Sequence, residues 1–311
     1  MEKLYVLTCI SNPQRYVSRY KLYHEFERYM KQFPNVELYT VELSYKGRPF
    51  VVTQEGNEHH IQVRGEQEYW HKENLLEIGR RALPPSAKKI AWVDADVTFT
   101  NPNWVNETLH ALDHYKFVQM FGEYSDLGPN FEVTSTTEGF VKAWKNNPDE
   151  MFVTDGNGAV YGARKGATGL AWAATQEALN AVGGFLDWCV VGSGDWHMAY
   201  CLIERGVEIA QPWFSTGYRM LLEKWESDCR QYIRKSVGYI NSGAVHYWHG
   251  PKVNRGYGWR WNIIRENGYD PILDLKRDHQ GLYIVNEQKG AMLNALRDYF
   301  ESRKEDSMEL K

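Results

Sequence analysis

The sequence predicts an α/β protein: an open, mixed but largely parallel Rossmann-like sheet flanked by helices, with a helical C-terminal extension. Three observations carry this. Short apolar runs of strand length alternate with amphipathic stretches of helix length through the first part of the chain. Several runs end in polar or turn-forming residues, as at Ser11-Asn12-Pro13, and an open α/β sheet binds ligands at such strand ends. With 311 residues, 43% apolar and 24% charged, the chain can bury a sizeable core and has no composition for wholesale disorder.

The elements follow in order. Residues 4–10 form a buried strand, and residues 15–31 a helix with Tyr16, Tyr20, Tyr23, Phe26 and Met30 on one stripe. Residues 36–43 alternate as a strand. Residues 49–53 and 60–63 read as short strands that could pair as a hairpin. Residues 73–81 are helical, Pro84-Pro85 breaks the chain, and residues 89–94 make the next strand. A helix over 104–112 and a strand over 117–121 follow. From 125 to 169 the periodicity fades, and the five glycines between 154 and 169 mark a mobile loop that carries Arg164 and Lys165. Helices are expected over 176–182 and 195–205, with a strand over 208–212. Beyond about residue 215 the pattern is helical and aromatic-rich. It closes with an amphipathic helix over 287–303 and a frayed tail from Lys304.

Composition excludes several classes. The net charge of −4 and pI near 6.2 argue against a protein that coats nucleic acid through a basic face, although a local groove is compatible with them. Four scattered cysteines form no CxxC pair, which fits reduced thiols in a cytosolic setting and not a zinc site or disulfide framework. No signal-like segment and no run of about 20 apolar residues is present, so no membrane association is expected. The 12 Trp and 20 Tyr are plentiful: many must be core, and exposed ones would suit stacking on sugar rings or bases.

Three motifs carry chemistry. The first is Asp94-Ala95-Asp96 at the end of an apolar strand, where two carboxylates can hold a divalent cation beside a pyrophosphate; two nearby acids are otherwise an ordinary polar strand end. The second is Gly183-Gly184-Phe185-Leu186-Asp187 followed by Gly192-Ser193-Gly194-Asp195-Trp196. Here a glycine turn puts Asp195 at a helix start, where the dipole favours its ionised form; the plain alternative is a helix cap. The third is His246-Tyr247-Trp248-His249-Gly250, two histidines three apart that can bind one metal or simply pack.

In this order the motifs resemble metal-dependent glycosyltransferases of the GT-A fold. They are most similar to the β-1,4-galactosyltransferase and polypeptide N-acetylgalactosaminyltransferase branch. The stretch His71-Lys72-Glu73-Asn74-Leu75-Leu76-Glu77-Ile78-Gly79 is similar to a segment in which a basic residue meets the donor diphosphate. The resemblance implies Asp96 as a metal ligand with His246 and His249, Asp94 orienting the donor, and Lys72 on the diphosphate. It also implies Asp195 as the base of an inverting transfer from a UDP-sugar, with Mn²⁺ or Mg²⁺ as cofactor and imidazole ligands leaning toward Mn²⁺. Thr8, Ser11 and Asn12, after the first strand, would meet the nucleotide. Two departures stand out: Gly194 occupies the place where the family has Glu, and Asp187 is displaced by one residue from the Gly-Gly-Phe-Asp pattern. On this reading residues 1–215 form the nucleotide-sugar-binding catalytic domain, and 216–311 an extension that completes the metal and acceptor site.

The segment 250–261 mixes cations, glycines and aromatics and suits a loop closing over diphosphate, with Lys252 and Arg255 as phosphate partners or, alternatively, a surface loop of packed tryptophans. The run Asn101-Pro102-Asn103-Trp104 after Asp-x-Asp is similar to glycosyltransferases of bacteriophages, some of which modify DNA. That similarity implies hydroxymethylated pyrimidine in DNA as acceptor, in the host cytoplasm. A basic track from Lys142, Lys145, Arg164, Lys165, Arg230, Arg234 and Lys235 would receive the DNA, unless these are ordinary solvated charges. A carbohydrate or protein glycan is the alternative acceptor. A sugar nucleotidyltransferase would need a glycine-rich basic loop after the first strand, which Ser11-Asn12-Pro13-Gln14-Arg15 does not supply. A non-catalytic carbohydrate-binding protein would explain the aromatics but not the acids and histidines together.

Overall fold

A computed structural model describes residues 2–151, 153–154, 160–161 and 166–309. In chain order the first elements are β1 (Leu4–Ser11), α1 (Val17–Met30), β2 (Val36–Tyr45), β3 (His60–Gly65), α2 (Lys72–Ala82), β4 (Lys89–Val93), β5 (Val97–Phe99) and α3 (Trp104–His114). Then come β6 (Phe117–Gln119), β7 (Glu123–Leu127), β8 (Val133–Glu138), α4 (Phe140–Asn146), the short ladder β9 (Val153–Thr154) with β10 (Val160–Tyr161), β11 (Ala171–Thr175), α5 (Gln176–Ala181) and α6 (Gly194–Leu202). The last third holds α7 (Thr216–Asp228), β12 (Val237–Tyr239), β13 (Gly243–His246), α8 (Trp261–Glu266), α9 (Pro271–Asp274), β14 (Leu275–Arg277), β15 (Tyr283–Val285) and α10 (Gly290–Ser302).

The main sheet has seven strands in the order β12-β6-β11-β4-β1-β2-β3. All run parallel except β11, which is antiparallel to both β4 and β6. The open mixed sheet expected from the strand–helix alternation is therefore present. Its central strands read as continuous apolar runs because both faces are covered. The period of two sorts β4 onto two cores: Ile90 and Trp92 face one cluster with Leu7, Phe117 and Trp172, whereas Ala91 and Val93 face the other with Leu4, Val6 and Val118. Helices α1 and α3 cover the second face with Phe26, Met30, Trp104 and Leu109; α6, α7, α8 and α10 cover the first with Met198, Leu222, Ile263 and Leu296. Trp172 is 1% exposed, and its truncation to alanine should cost about 3–5 kcal/mol in lost transfer energy and cavity.

A second sheet, β5-β13-β7-β8, stands beside the first. Its strands β7 and β8 lie in the stretch where hydrophobic periodicity fades, because β8 is mostly exposed and has no apolar face to announce it.

Three local expectations are corrected. Residues 49–53 are not a strand: the Glu42 carboxylate accepts the backbone N–H groups of Val51, Val52 and Thr53 and holds the segment as a loop, so β3 pairs parallel with β2 instead of closing a hairpin. Residues 208–212 are not a strand either; Val207–Ile209 is a 3₁₀ turn whose first N–H is taken by Glu226. The described part of the tail, residues 304–309, is not frayed. Glu305 is 2% exposed and paired with Arg19 and Arg303, and the Asp306 carboxylate accepts the N–H groups of Val17 and Ser18 at the start of α1. The predicted loop with Arg164 and Lys165 lies largely outside the described residues. Among the described residues, no helix is long and apolar enough to cross a membrane.

Candidate active site

The chain passes from the main sheet to the second sheet at Asp94-Ala95-Asp96. Asp94 N–H bonds Leu170 O at 2.9 Å, Val97 N–H turns back to Asp94 O, and β5 begins. Strand β13 then pairs with β5 so that His246 lies opposite Val97, and with β7 so that it lies opposite Asp126. Register alone thus places His246 beside Asp96. Tyr247 N–H fixes the next step by bonding Asp96 O at 2.9 Å. After His249 the chain turns at Gly250, whose φ of +87° suits glycine; a Cβ there would lie 2.7 Å from Glu305 Cα.

The donor atoms of Asp96, His246 and His249 all lie within 4.8 Å of one another. The two imidazole Nε2 atoms are 3.3 Å apart, and His249 Nε2 is 3.2 Å from Asp96 Oδ2. Ligands at about 2.1 Å from one ion and about 90–109° apart would be separated by about 3.0–3.4 Å, so the arrangement fits a shared cation. Buried Asp96 Oδ1 has no hydrogen-bond partner, as expected of an atom reserved for such an ion. His246 donates Nδ1–H to Asp126 at 2.8 Å, the carboxylate–imidazole arrangement that orients a metal-ligating histidine. His249 Nδ1 faces Glu305 at 3.6 Å. Burial opposes ionisation of Asp96, but the two imidazoles and Arg19 more than reverse this and hold the carboxyl well below the usual carboxylate range. Burial also lowers His246, only partly offset by Asp126 and Asp96, which keeps a neutral ring available as a ligand.

These residues line a cleft of ≈ 390 Å³. In the same cleft, Lys72 at the start of α2 makes an ion pair with Asp94. Burial would lower this ammonium, but Asp94, Asp195 and Glu73 raise it above its ordinary value, so it stays charged. Asp195 occupies the first turn of α6, behind Gly192 and the left-handed Ser193, and lies against Gly169, where a Cβ would come within 2.6 Å of its carboxylate. Arg19, Lys252, Arg255, Arg260 and Arg303 add positive charge to the walls. Arg255 donates to His249 Nε2 at 3.1 Å, and Lys252 to Asp126 at 2.7 Å, so the 250–261 segment folds over the histidine side of the cleft.

The cleft therefore collects Ser11, Lys72, Asp94, Asp96, Asp195, His246, His249, Lys252 and Arg255. It does not collect Thr8 and Asn12. Thr8 is 1% exposed inside the sheet between its neighbouring strands, and Asn12 uses both ends of its amide on Tyr16, bracing the turn after β1. Ser11 lines the cleft with its hydroxyl bonded to Tyr45 at 2.6 Å. Asp187 pairs with Arg277 and Tyr283 and anchors the β14–β15 hairpin. The expected basic track is largely neutralised: Lys142 faces Glu123 and Glu138, Arg230 pairs with Glu226, Lys235 pairs with Glu204, and Lys145 lies over the Tyr115 ring. Arg164 and Lys165 lie outside the described residues. Sequence reasoning missed Asp126, Glu305, Arg19 and Glu73. Of these only Glu73, adjacent to Lys72 within a recognised segment, had a local signal.

No family model and no curated protein matches the chain. The solved structures it is similar to include a Drosophila β1,4-galactosyltransferase 7 mutant in complex with manganese, UDP-Gal and xylobiose. There the identity is 11% and the TM-score 0.38 over 66% of this chain, which spans 63% of that protein's length. Residues 1–349 of TarS from S. aureus match at 10% identity and TM-score 0.36, covering 97% of this chain and 89% of that one. The 4-diphosphocytidyl-2C-methyl-D-erythritol synthase of Anaerococcus prevotii matches at 9% and 0.33, covering 96% of each.

Proposed function

We propose that the chain is a metal-dependent, inverting glycosyltransferase that moves a sugar from a UDP-sugar to a hydroxyl acceptor. The observation that carries this reading is the convergence of Asp96, His246 and His249 on one point of a cleft that the Lys72–Asp94 pair and Asp195 also line. A cation held by Asp96, His246 and His249, Mn²⁺ before Mg²⁺ because two ligands are imidazoles, would neutralise the diphosphate as it leaves. Lys252 and Arg255, which bond Asp126 and His249, would pair with phosphate oxygens on releasing them. Asp94, held by Lys72, orients the donor. Asp195 takes the proton from the acceptor hydroxyl while its oxygen bonds the anomeric carbon and the carbon–oxygen bond to the diphosphate breaks. The electron pair of that bond leaves with the nucleoside diphosphate.

The test is UDP release from UDP-glucose, UDP-galactose and UDP-N-acetylglucosamine, with and without Mn²⁺. The acceptor panel is hydroxymethylcytosine DNA, hydroxymethyluracil DNA and methyl glycosides. Hydroxymethylated pyrimidine in DNA is the first acceptor of this panel, and a carbohydrate or protein glycan the alternative. Asp195→Asn should lower transfer about 10²–10⁴-fold while donor still binds in a metal-dependent way. Near-normal turnover of that variant would remove Asp195 from its role, and no UDP release from any donor would sink the reading.

A further inference from the structure

The Gly192-Ser193-Gly194 turn that launches Asp195 packs on the first turn of α2. A Cβ added at Gly192 would lie 3.1 Å from the Trp70 ring. One added at Gly194 would lie 2.7 Å from Glu73 Cγ and 2.9 Å from Glu73 Oε1. The Glu73 carboxyl thus fills the space where residue 194 would carry a side chain, immediately before Asp195, and it lines the cleft. It is 7% exposed, and Trp70 donates its indole N–H to Oε2 at 3.1 Å. Lys72, the neighbouring cation, is already paired with Asp94. A buried carboxyl on a cleft wall, braced by an indole and by its own backbone N–H but in no salt bridge among the described residues, is costly to a fold that has no use for it.

We infer that Glu73 is the second carboxyl of the acceptor site: it accepts a hydrogen bond from a donor group on the acceptor next to the hydroxyl that loses its proton to Asp195. This rests on the transferase reading above. An ionised carboxylate can only accept, so the neighbouring group must be a hydroxyl or an amine. The acceptor class is therefore a vicinal diol of a sugar, or a base such as hydroxymethylcytosine whose amino group adjoins its hydroxymethyl. Hydroxymethyluracil presents a carbonyl at that position and is disfavoured. Glu73 is a positioning residue here, and Asp195 remains the base. Burial, reinforced by Asp195 and Asp94 and opposed by Lys72, pushes the Glu73 carboxyl up to about 7, so its acceptor role switches on as pH rises through neutrality.

The experiment compares wild type, Glu73→Gln and the double variant Glu73→Ala/Gly194→Glu, which returns a carboxylate to the same space from the other element. Each is assayed for donor hydrolysis and for transfer to the monodeoxy methyl β-glucosides, hydroxymethylcytosine DNA and hydroxymethyluracil DNA, from pH 5.5 to 8.5 (values chosen to bracket about 7). Wild type should prefer acceptors with the adjacent donor group by about tenfold or more, with an acid limb near neutrality. Glu73→Gln should raise acceptor KM, lower the ratio of transfer to hydrolysis by about tenfold or more, and lose that limb; the double variant should recover part of both. Equal falls in transfer and hydrolysis would make Glu73 merely structural, and an unchanged acceptor preference and pH profile would overturn the inference while leaving the transferase reading intact. If wild type cleaves no donor at all, the transferase reading fails and takes the inference with it.

Discussion

Replacing Glu73 by glutamine should stabilise the fold above neutral pH and leave it nearly unchanged in weak acid. The carboxyl is 7% exposed and rises from its ordinary 4.5 to about 7, chiefly through burial, with Lys72 opposing and Asp195 reinforcing. Between those two values the folded state holds a proton that the unfolded chain has lost. Stability therefore falls as pH rises through this window and stays low above it. At about 1.4 kcal/mol per pK unit the loss amounts to about 3 kcal/mol by pH 8, which the amide does not suffer. For a chain of 311 residues this corresponds to a Tm difference of about 4 °C. Thermal melts of wild type and variant at intervals between pH 5 and 8, without added metal, measure it. The two should differ by about 1 kcal/mol or less near pH 5 and diverge toward pH 8, the variant melting higher. Parallel curves across the whole range, or a variant that is less stable at pH 8, would refute the reasoning, because they would mean that Glu73 is either ionised in acid or stabilised by its charge.

The metal site and its supports give further tests. Mn²⁺ at about 100 times its Kd should stabilise wild type by about 2.7 kcal/mol and do little for Asp96→Asn or His246→Ala, read as a metal-dependent Tm shift. Asp126→Asn, which weakens the hold on His246 Nδ1, should loosen Mn²⁺ binding about 10–100-fold by calorimetry; an unchanged affinity would show that His246 is not a ligand. Glu305→Gln leaves the buried Arg303 and the half-buried Arg19 guanidiniums short of a counter-charge and should cost about 3–5 kcal/mol as well as metal affinity, checked by denaturant unfolding and Mn²⁺ titration. Gly250→Ala forces a left-handed φ and a 2.7 Å approach to the Glu305 backbone, and should destabilise by more than about 1 kcal/mol and expose the tail to proteolysis.

Much of the fold was legible because it is written in local periods. The strand runs at 4–10 and 89–94 are largely apolar because both faces of the sheet are covered, residues 36–43 alternate as a strand, and the stripes of α1 and α2 repeat at helical spacing. Asp94 and Asp96 could be placed at a strand end from neighbouring residues alone; His246 and His249 do not share a turn, because His246 ends β13 and His249 lies in the irregular chain that follows. Turn chemistry was read less well: Asn12 stands at a strand end where a nucleotide contact was expected, yet its four-residue spacing to Tyr16 makes it a brace.

The sequence by itself determined the α/β class, the strand that delivers the two acids, and the residue types that can hold a cation. Only the tertiary structure decided which of them meet. Asp126 joins His246 across 120 residues, Glu305 pairs with Arg19 across 286, and Glu73 reaches the space beside Gly194 from a different helix. Those meetings follow from the register of β13 between β5 and β7, the docking of the last residues on α1, and the packing of α2 against the turn before α6. Each depends on how apolar faces far apart in the chain are buried together, a property of the whole core that no local window of sequence contains.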